Sequence, residues 1–355
     1  MGNVISIIVF VLIMSAIIIV HELGHLIAAK RFGVYCKEFS IGMGPVLWQR
    51  QIGETAWSLR ALPIGGFVAM AGEDSTEDDE ELNIPYERTL NGIKRWKQIV
   101  VMAAGAFMNV VLAWVIFVGI TAYQGQVSVP GQPVVAGVSE GKPAEKAGFK
   151  EGDRIIKIQQ GDEIETPESW SDVTKFLVYY QGEMTFTVER NEKQVELKLT
   201  PYLDKETNQY MMGVLQDPNS YTVKDITLLE SIPYGTEKMV SSVSMIFEAL
   251  GKLIQGIGLN NLSGPVGIFK VTADVAKEGF LSIVALTGLL SVNVGIFNLL
   301  PIPILDGGRI FILLIEAVIG RKLNEKVQNA VMMAGLVLLV GIMLFATWND
   351  ITRLF

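Results

Sequence analysis

The sequence predicts an α-helical polytopic membrane protein: four transmembrane helices, a membrane-associated β-hairpin or loop, and an inserted α/β domain. Three observations point there. Half of the 355 residues are hydrophobic although 19% are charged, and mean hydropathy is +0.38, the average of uncharged stretches and ordinary soluble sequence. Apolar runs at about residues 4–27, 99–123, 280–305 and 327–348 are each long enough to cross a hydrocarbon core of ~30 Å. Between the second and third runs, about residues 126–205 read as short alternating strands and helices punctuated by glycine and proline.

The first run carries no charge before its inner end, where His21-Glu22-Leu23-Gly24-His25 follows. Both histidines of the chain lie in this motif. Four residues apart on a helix, two imidazoles project from one face roughly 5–6 Å apart. That suits two nitrogens on one Zn²⁺, with Glu22 placed to take a proton from water. A pair of packed interfacial histidines is the competing account, but ionisable residues at membrane depth are costly. The lone cysteine, Cys36, excludes a disulfide framework and a cysteine-rich zinc site. A net charge of −8 leaves no basic patch for nucleic acid.

Lys30, Arg31 and Lys37 close the first span. Within about residues 54–72, Glu54–Arg60 alternates loosely, and Pro63–Met70 reads as a strand entered through Gly65-Gly66 and continuing into Phe67 and Val68. A hairpin dipping into the bilayer and a small cytosolic sheet both fit that periodicity. From Glu73 to Glu81 there are seven acidic residues and no basic one, a pattern of solvated loop. The second span contains Gly105-Ala-Phe-Met-Asn109, a small residue and an amide four apart, which favours close helix packing with an interhelical hydrogen bond.

In the α/β insert, Val134–Val138 reads as a strand, Pro143–Gly148 as a short helix with a glycine stop, and Arg154–Ile158 as a strand. Ser169–Tyr180 is helical in pattern, and Phe186/Val188 and Val195/Leu197/Leu199 alternate on two further strands. The order Pro-Ala-x-x-Ala-Gly-Phe-x-x-Gly-Asp-x-Ile resembles a PDZ domain, which captures peptides by strand addition. Residues 206–279 read as an amphipathic helical connector, with apolar side chains at helical spacing over 236–258 and a break at Leu262–Ile268.

The third span leads into Asn298-Leu-Leu-Pro-Ile-Pro-Ile-Leu-Asp306-Gly307-Gly308. Two prolines predict irregular backbone, which membrane depth tolerates only beside a cavity or under protein. Asp306 could cap the helix that resumes at Arg309. Beside two histidines it reads instead as the third metal ligand, since a catalytic zinc takes three protein groups and an open position. Basic residues gather in the first loop (Lys30, Arg31, Lys37, Lys94, Arg95, Lys97) and the last (Arg321, Lys322, Lys326), while the C-terminal tail has only Arg353. The positive-inside rule then places both termini and the α/β insert outside, with His21, His25 and Asp306 near the cytoplasmic side of the cell membrane.

His21-Glu-Leu-Gly-His25, Leu62-Pro-Ile-Gly-Gly-Phe-Val68, Leu262-Ser-Gly-Pro-Val-Gly-Ile268 and Asn298-x-x-Pro-x-Pro-x-Leu-Asp-Gly307 together resemble the site-2 protease family, in its bacterial regulator-of-sigma-E branch with one PDZ domain. Ala106 stands where many members have proline. The resemblance implies an intramembrane zinc endopeptidase that cuts transmembrane segments of single-span, membrane-anchored substrates, such as anti-sigma factors or remnant signal peptides. It implies His21, His25 and Asp306 as zinc ligands, Glu22 as catalytic base, and Asn298 as a contact to the substrate backbone or transition state. It also implies Gly65, Gly66, Phe67 and Val68 as a membrane-dipping loop that pairs with substrate, and a PDZ filter taking a peptide C-terminus or a regulatory protein. Two other readings stay open: a membrane metallopeptidase for soluble or lipidated peptides, and a non-enzymatic PDZ scaffold.

Overall fold

A computed structural model describes residues 2–73, 83–204, 209–217, 221–257 and 263–352. Most of the acidic run after Glu73, together with Leu262 and Arg353, lies outside them. The chain divides into two compact units, one of Met1–Tyr123, Ile232–Glu248 and Asn260–Phe355, the other of Gln124–Ser231 and Ala249–Leu259.

Helix α1 (Gly2–Arg31) holds the histidine motif in its last third, and Lys30 and Arg31 in its final turn complement the dipole. Strands β1 (Cys36–Ile52) and β2 (Thr55–Met70) follow, and α2 (Arg95–Gln124) after them. β1 and β2 are long and bent, so they build a sheet of more than one hairpin. Phe39 pairs with both Trp57 and Val68, and Ser40 with both Ser58 and Phe67, while Ile52 back to Val46 pairs with Thr55 to Arg60. Residues 66–70 thus form one edge of four segments, antiparallel to 38–41, which in turn rises in register with 56–59. The bends use glycines at positive φ, Gly42 (+87°), Gly44 (+84°) and Gly65 (+83°), and a side chain at Gly42 would meet the Leu62 carbonyl at 2.4 Å. Sequence periodicity finds β2 but not β1, because two glycines, a proline and clustered charges interrupt its alternation. Met43, Leu47, Trp48 and Leu62 leave an exposed apolar tip. The other end is pinned: Phe39, Val68 and Met70 bury against Leu26, Ala29, Val101 and Met102 of α1 and α2. Burial pushes the Cys36 thiol up to about 11, which removes it from thiolate chemistry.

The second unit comprises β3 (Gln126–Pro130), β4 (Val135–Val138), α3 (Pro143–Ala147), β5 (Arg154–Gln160), β6 (Glu163–Glu165), α4 (Trp170–Tyr179), β7 (Met184–Arg190), β8 (Lys193–Leu199), β9 (Tyr202–Asp204), β10 (Gln209–Met211), β11 (Val214–Gln216) and β12 (Tyr221–Asp225). Its main sheet has the order β6-β5-β7-β8, and α4 starts with a Ser169–Asp172 capping box. Ile155, Ile158, Trp170, Phe176, Phe186 and Val188 fill the core. Beneath it, the buried Asp153 carboxylate is held by Arg190 at 2.6 Å. The insert does not end near residue 205, nor do the described residues 209–217 and 221–225 belong to a helical connector: β10, β11 and β12 pair back onto β9, β4 and β3. Those strands are only three to five residues long, too short to register as alternation.

Helices α5 (Ser231–Ile254), α6 (Pro265–Glu278), α7 (Phe280–Asn298), α8 (Asp306–Ile319) and α9 (Glu325–Thr352) complete the chain. The break before α6 has a physical cause. Buried Asp350 on α9 accepts the N–H groups of Gly264 and Gly267 at 2.9 and 2.7 Å, and side chains at those glycines would strike Thr347 N at 2.8 Å and Asp350 Oδ1 at 2.5 Å. Among the described residues four helices, Val4–Arg31, Arg95–Gln124, Phe280–Asn298 and Lys326–Thr352, are long and apolar enough to cross a bilayer. Ile13 and Ile17 of α1 pack on Leu286 of α7, which sets the depth at which α7 delivers the segment that follows it.

Candidate metal centre

Local helix geometry brings His21 and His25 together: their Nε2 atoms are 3.1 Å apart, and both side chains are buried. The approach of α2 fixes their surroundings. A side chain at Gly24 would lie 2.3 Å from the Ala104 carbonyl, and one at Gly105 would lie 2.4 Å from His25 Nε2 and 2.7 Å from His21 Nε2. Each imidazole therefore turns Nε2 into the space that Gly105 leaves. His25 Nδ1 meets the Val101 carbonyl at 2.8 Å, so it carries the proton and leaves Nε2 bare.

The third group comes from the start of α8. After α7 the chain folds over itself between Leu299 and Leu305, with Leu305 N bonded to Ile302 O at 3.1 Å and Gly308 N to Leu305 O at 3.0 Å. Side chains at Gly307 and Gly308 would lie 2.2 Å from the Leu299 carbonyl and 2.3 Å from that of Ile302, so the turn needs both glycines. Ile304 adopts φ +89°, which costs a β-branched residue on the order of 1–3 kcal/mol and marks a constrained segment. Helix α8 resumes at Asp306 rather than Arg309, with Leu305 at the N-cap, so Asp306 is not the cap. Its Oδ2 lies 3.0 Å from His21 Nε2 and 3.3 Å from His25 Nε2, buried and without a hydrogen-bond partner.

Three potential ligand atoms thus converge within 3.0–3.3 Å of one another. Ligands about 2.0–2.1 Å from a tetrahedral Zn²⁺ stand roughly 3.3 Å from one another. Two imidazoles and one carboxylate at 3.0–3.3 Å fit that ion, and they are the His/Cys/Asp/Glu group among the described residues whose ligand atoms gather in this way. Gly105→Ala puts a methyl group where the nitrogens converge. It is expected to lower activity about 100-fold through misplaced ligands, with helix content unchanged by circular dichroism and zinc content reduced.

Glu22 lies on the wall of the cavity beside this cluster, which has a volume of about 610 Å³ and is lined also by Lys37, Glu38, Phe67, Val68 and Met102. Its Oε2 accepts the Val68 N–H at 3.1 Å. The edge segment of β2 therefore faces the site with its backbone. Gly66 packs on β1, where a side chain would lie 2.7 Å from the Ser40 carbonyl. Gly65 makes the bend, and Phe67 stacks under the Arg60 guanidinium at 5.0 Å. Arg60 in turn holds Glu38 at 2.8 Å, a pair that periodicity does not single out. Asn298 ends α7 half-buried and is not among the residues that line the cavity. The Val101 carbonyl is a backbone group and has no side-chain signal to find.

Comparison with known proteins completes the assignment. The pattern of peptidase family M50 matches residues 9–342. The regulator of sigma-W protease RasP of Bacillus subtilis is 33% identical over 426 residues, spanning 99% of each chain. The zinc metalloprotease RasP of Bacillus licheniformis is 33% identical over 427 residues, again 99% of each. A Clostridium perfringens protein is 39% identical over 341 residues, 95% of this chain and 96% of the relative. With three potential metal-binding side chains, His21, His25 and Asp306, gathered within a frame of apolar helices, the chain belongs to peptidase family M50, the site-2 proteases, and is a membrane zinc metalloprotease.

Proposed function

We propose that this enzyme is an intramembrane endopeptidase that cleaves transmembrane segments of single-span, membrane-anchored substrates, anti-sigma factors or remnant signal peptides among them. The observation that carries the reading is the position of the His21–His25–Asp306 cluster, between apolar helices and beside a sheet edge that turns its backbone toward it. In this reading His21, His25 and Asp306 hold zinc. Bound there, the ion supplies a Lewis acid and a water acidic enough to ionise near neutral pH. Glu22 accepts a proton from water and returns it to the leaving amine, within reach of the same cavity.

A substrate helix hides its carbonyls in hydrogen bonds and must open before water can attack. Gly66, Phe67 and Val68 offer an edge on which an unwound segment can pair, with Gly65 providing the bend, and that pairing offsets the bonds lost. The exposed apolar tip at Leu47 and Trp48 supports a sheet that dips into lipid. Asn298, half-buried at the end of α7, contacts the substrate backbone or transition state. Basic loops hold the cluster near the cytoplasmic face, with both termini and the PDZ-like insert outside, where the insert selects peptide ends or a regulatory protein.

Purified protein is to be incubated with a single-span substrate and, separately, with that substrate's soluble tail. Cleavage within the span alone is the expected result. Equal cleavage of the tail would instead make this a general membrane metallopeptidase, and cleavage of neither, with zinc bound, a scaffold.

A further inference from the structure

The fold treats the two imidazoles differently. His25 Nδ1–H donates a hydrogen bond to the Val101 carbonyl at 2.8 Å. The Nδ1 of His21 instead faces the carboxamide of Asn109 on α2, whose Nδ2 stands 3.3 Å away. Asn109 is fully buried, and its Oδ1 has no hydrogen-bond partner.

Packing does not account for that side chain. Where α2 meets α7, the contact is made by backbone and small residues: Ser291 Oγ donates to the Asn109 carbonyl at 2.8 Å, and a side chain at Gly295 would lie 3.0 Å from the Ala106 carbonyl. None of these contacts uses the carboxamide. A side chain chosen only to fill this apolar interface would be leucine, which carries no polar atoms to bury.

A carboxamide presents either oxygen or nitrogen to a neighbour by a half-turn of its terminal bond. Nitrogen can only donate, which would put the imidazole proton on Nε2 and close that nitrogen to a metal. Oxygen accepts a proton from Nδ1 and leaves the Nε2 lone pair free. We propose that Asn109 is a positioning residue for His21, its carboxamide oxygen accepting the Nδ1 proton so that Nε2 points at the zinc. The proposal rests on reading His21 as a zinc ligand.

The test uses full-length protein in detergent, loaded with zinc, with the ion's loss to a chelator followed beside thermal unfolding. Asn109→Leu, which keeps volume, and Asn109→Ala, which cannot clash, are each expected to weaken zinc binding 10- to 100-fold. Asn109→Asp keeps an acceptor and is expected to hold zinc within a few-fold of wild type. Ser291→Ala, a packing control at the same contact, is expected to lower the unfolding temperature and leave zinc affinity unchanged. Wild-type zinc affinity in the Leu and Ala variants, or equal loss in Asp and Leu, overturns the proposal. Wild-type affinity in His21→Ala would overturn the ligand reading beneath it, so the two failures are distinguishable.

Discussion

Glu22→Gln is expected to keep a full complement of zinc and to lose cleavage by roughly 10²- to 10⁴-fold, the contribution of a positioned proton-transfer group. Volume and shape are conserved, and an amide can still accept the Val68 N–H that the carboxylate holds at 3.1 Å. The sheet edge therefore stays in place while the proton acceptor is gone. Zinc per protein and the initial cleavage rate of a single-span substrate, measured on one preparation, separate the two effects. In cells, membrane proteomics of wild type and Glu22→Gln is expected to show uncut membrane stubs accumulating in the variant. A variant that cleaves at the wild-type rate would leave Glu22 without its role.

Asp306→Ala is expected to lose both the metal and the activity. The substitution leaves two imidazoles, too few for a stable protein zinc site, and a cavity where the carboxylate stood. Its effect on stability is expected to be small. The N-cap of α8 is Leu305, so Asp306 contributes to that helix mainly as an acidic first-turn residue, worth about 0.3–1 kcal/mol. Zinc stoichiometry near zero with an unfolding temperature close to that of apo wild type is the expected combination. Normal zinc content would remove Asp306 from the ligand set, and a collapse of the fold would return it to the structural role that the bare sequence also permits.

The parts of the site differ in how readable they are. His21 and His25 need only the helical repeat, because residues four apart share one face wherever a helix forms, and Glu22 is legible as the carboxylate between them. The four spans need only length and the absence of charge. Strand β1 escapes because its alternation is broken at Gly42, Gly44 and Pro45, the residues that let it bend into two ladders. The strands after residue 205 escape because each is too short to carry a period, and partners distant in sequence make them strands. Asn109 is visible as an interhelical hydrogen-bonding residue, but its partner is not.

The sequence by itself determined the chemistry available to this protein: two histidines and a glutamate in one apolar helix, an aspartate after a proline-broken span, and a single cysteine, too few for a cysteine-rich metal site. Those are properties of local periodicity and composition. Only the tertiary structure decided that Asp306 meets the histidines at 3.0 and 3.3 Å. It also decided that Val101 and Asn109 stand behind the imidazoles, and that a sheet edge faces Glu22. Such contacts join segments far apart in the chain, and they depend on how closely glycine lets α1, α2 and the turn before α8 approach, which no single stretch of sequence encodes.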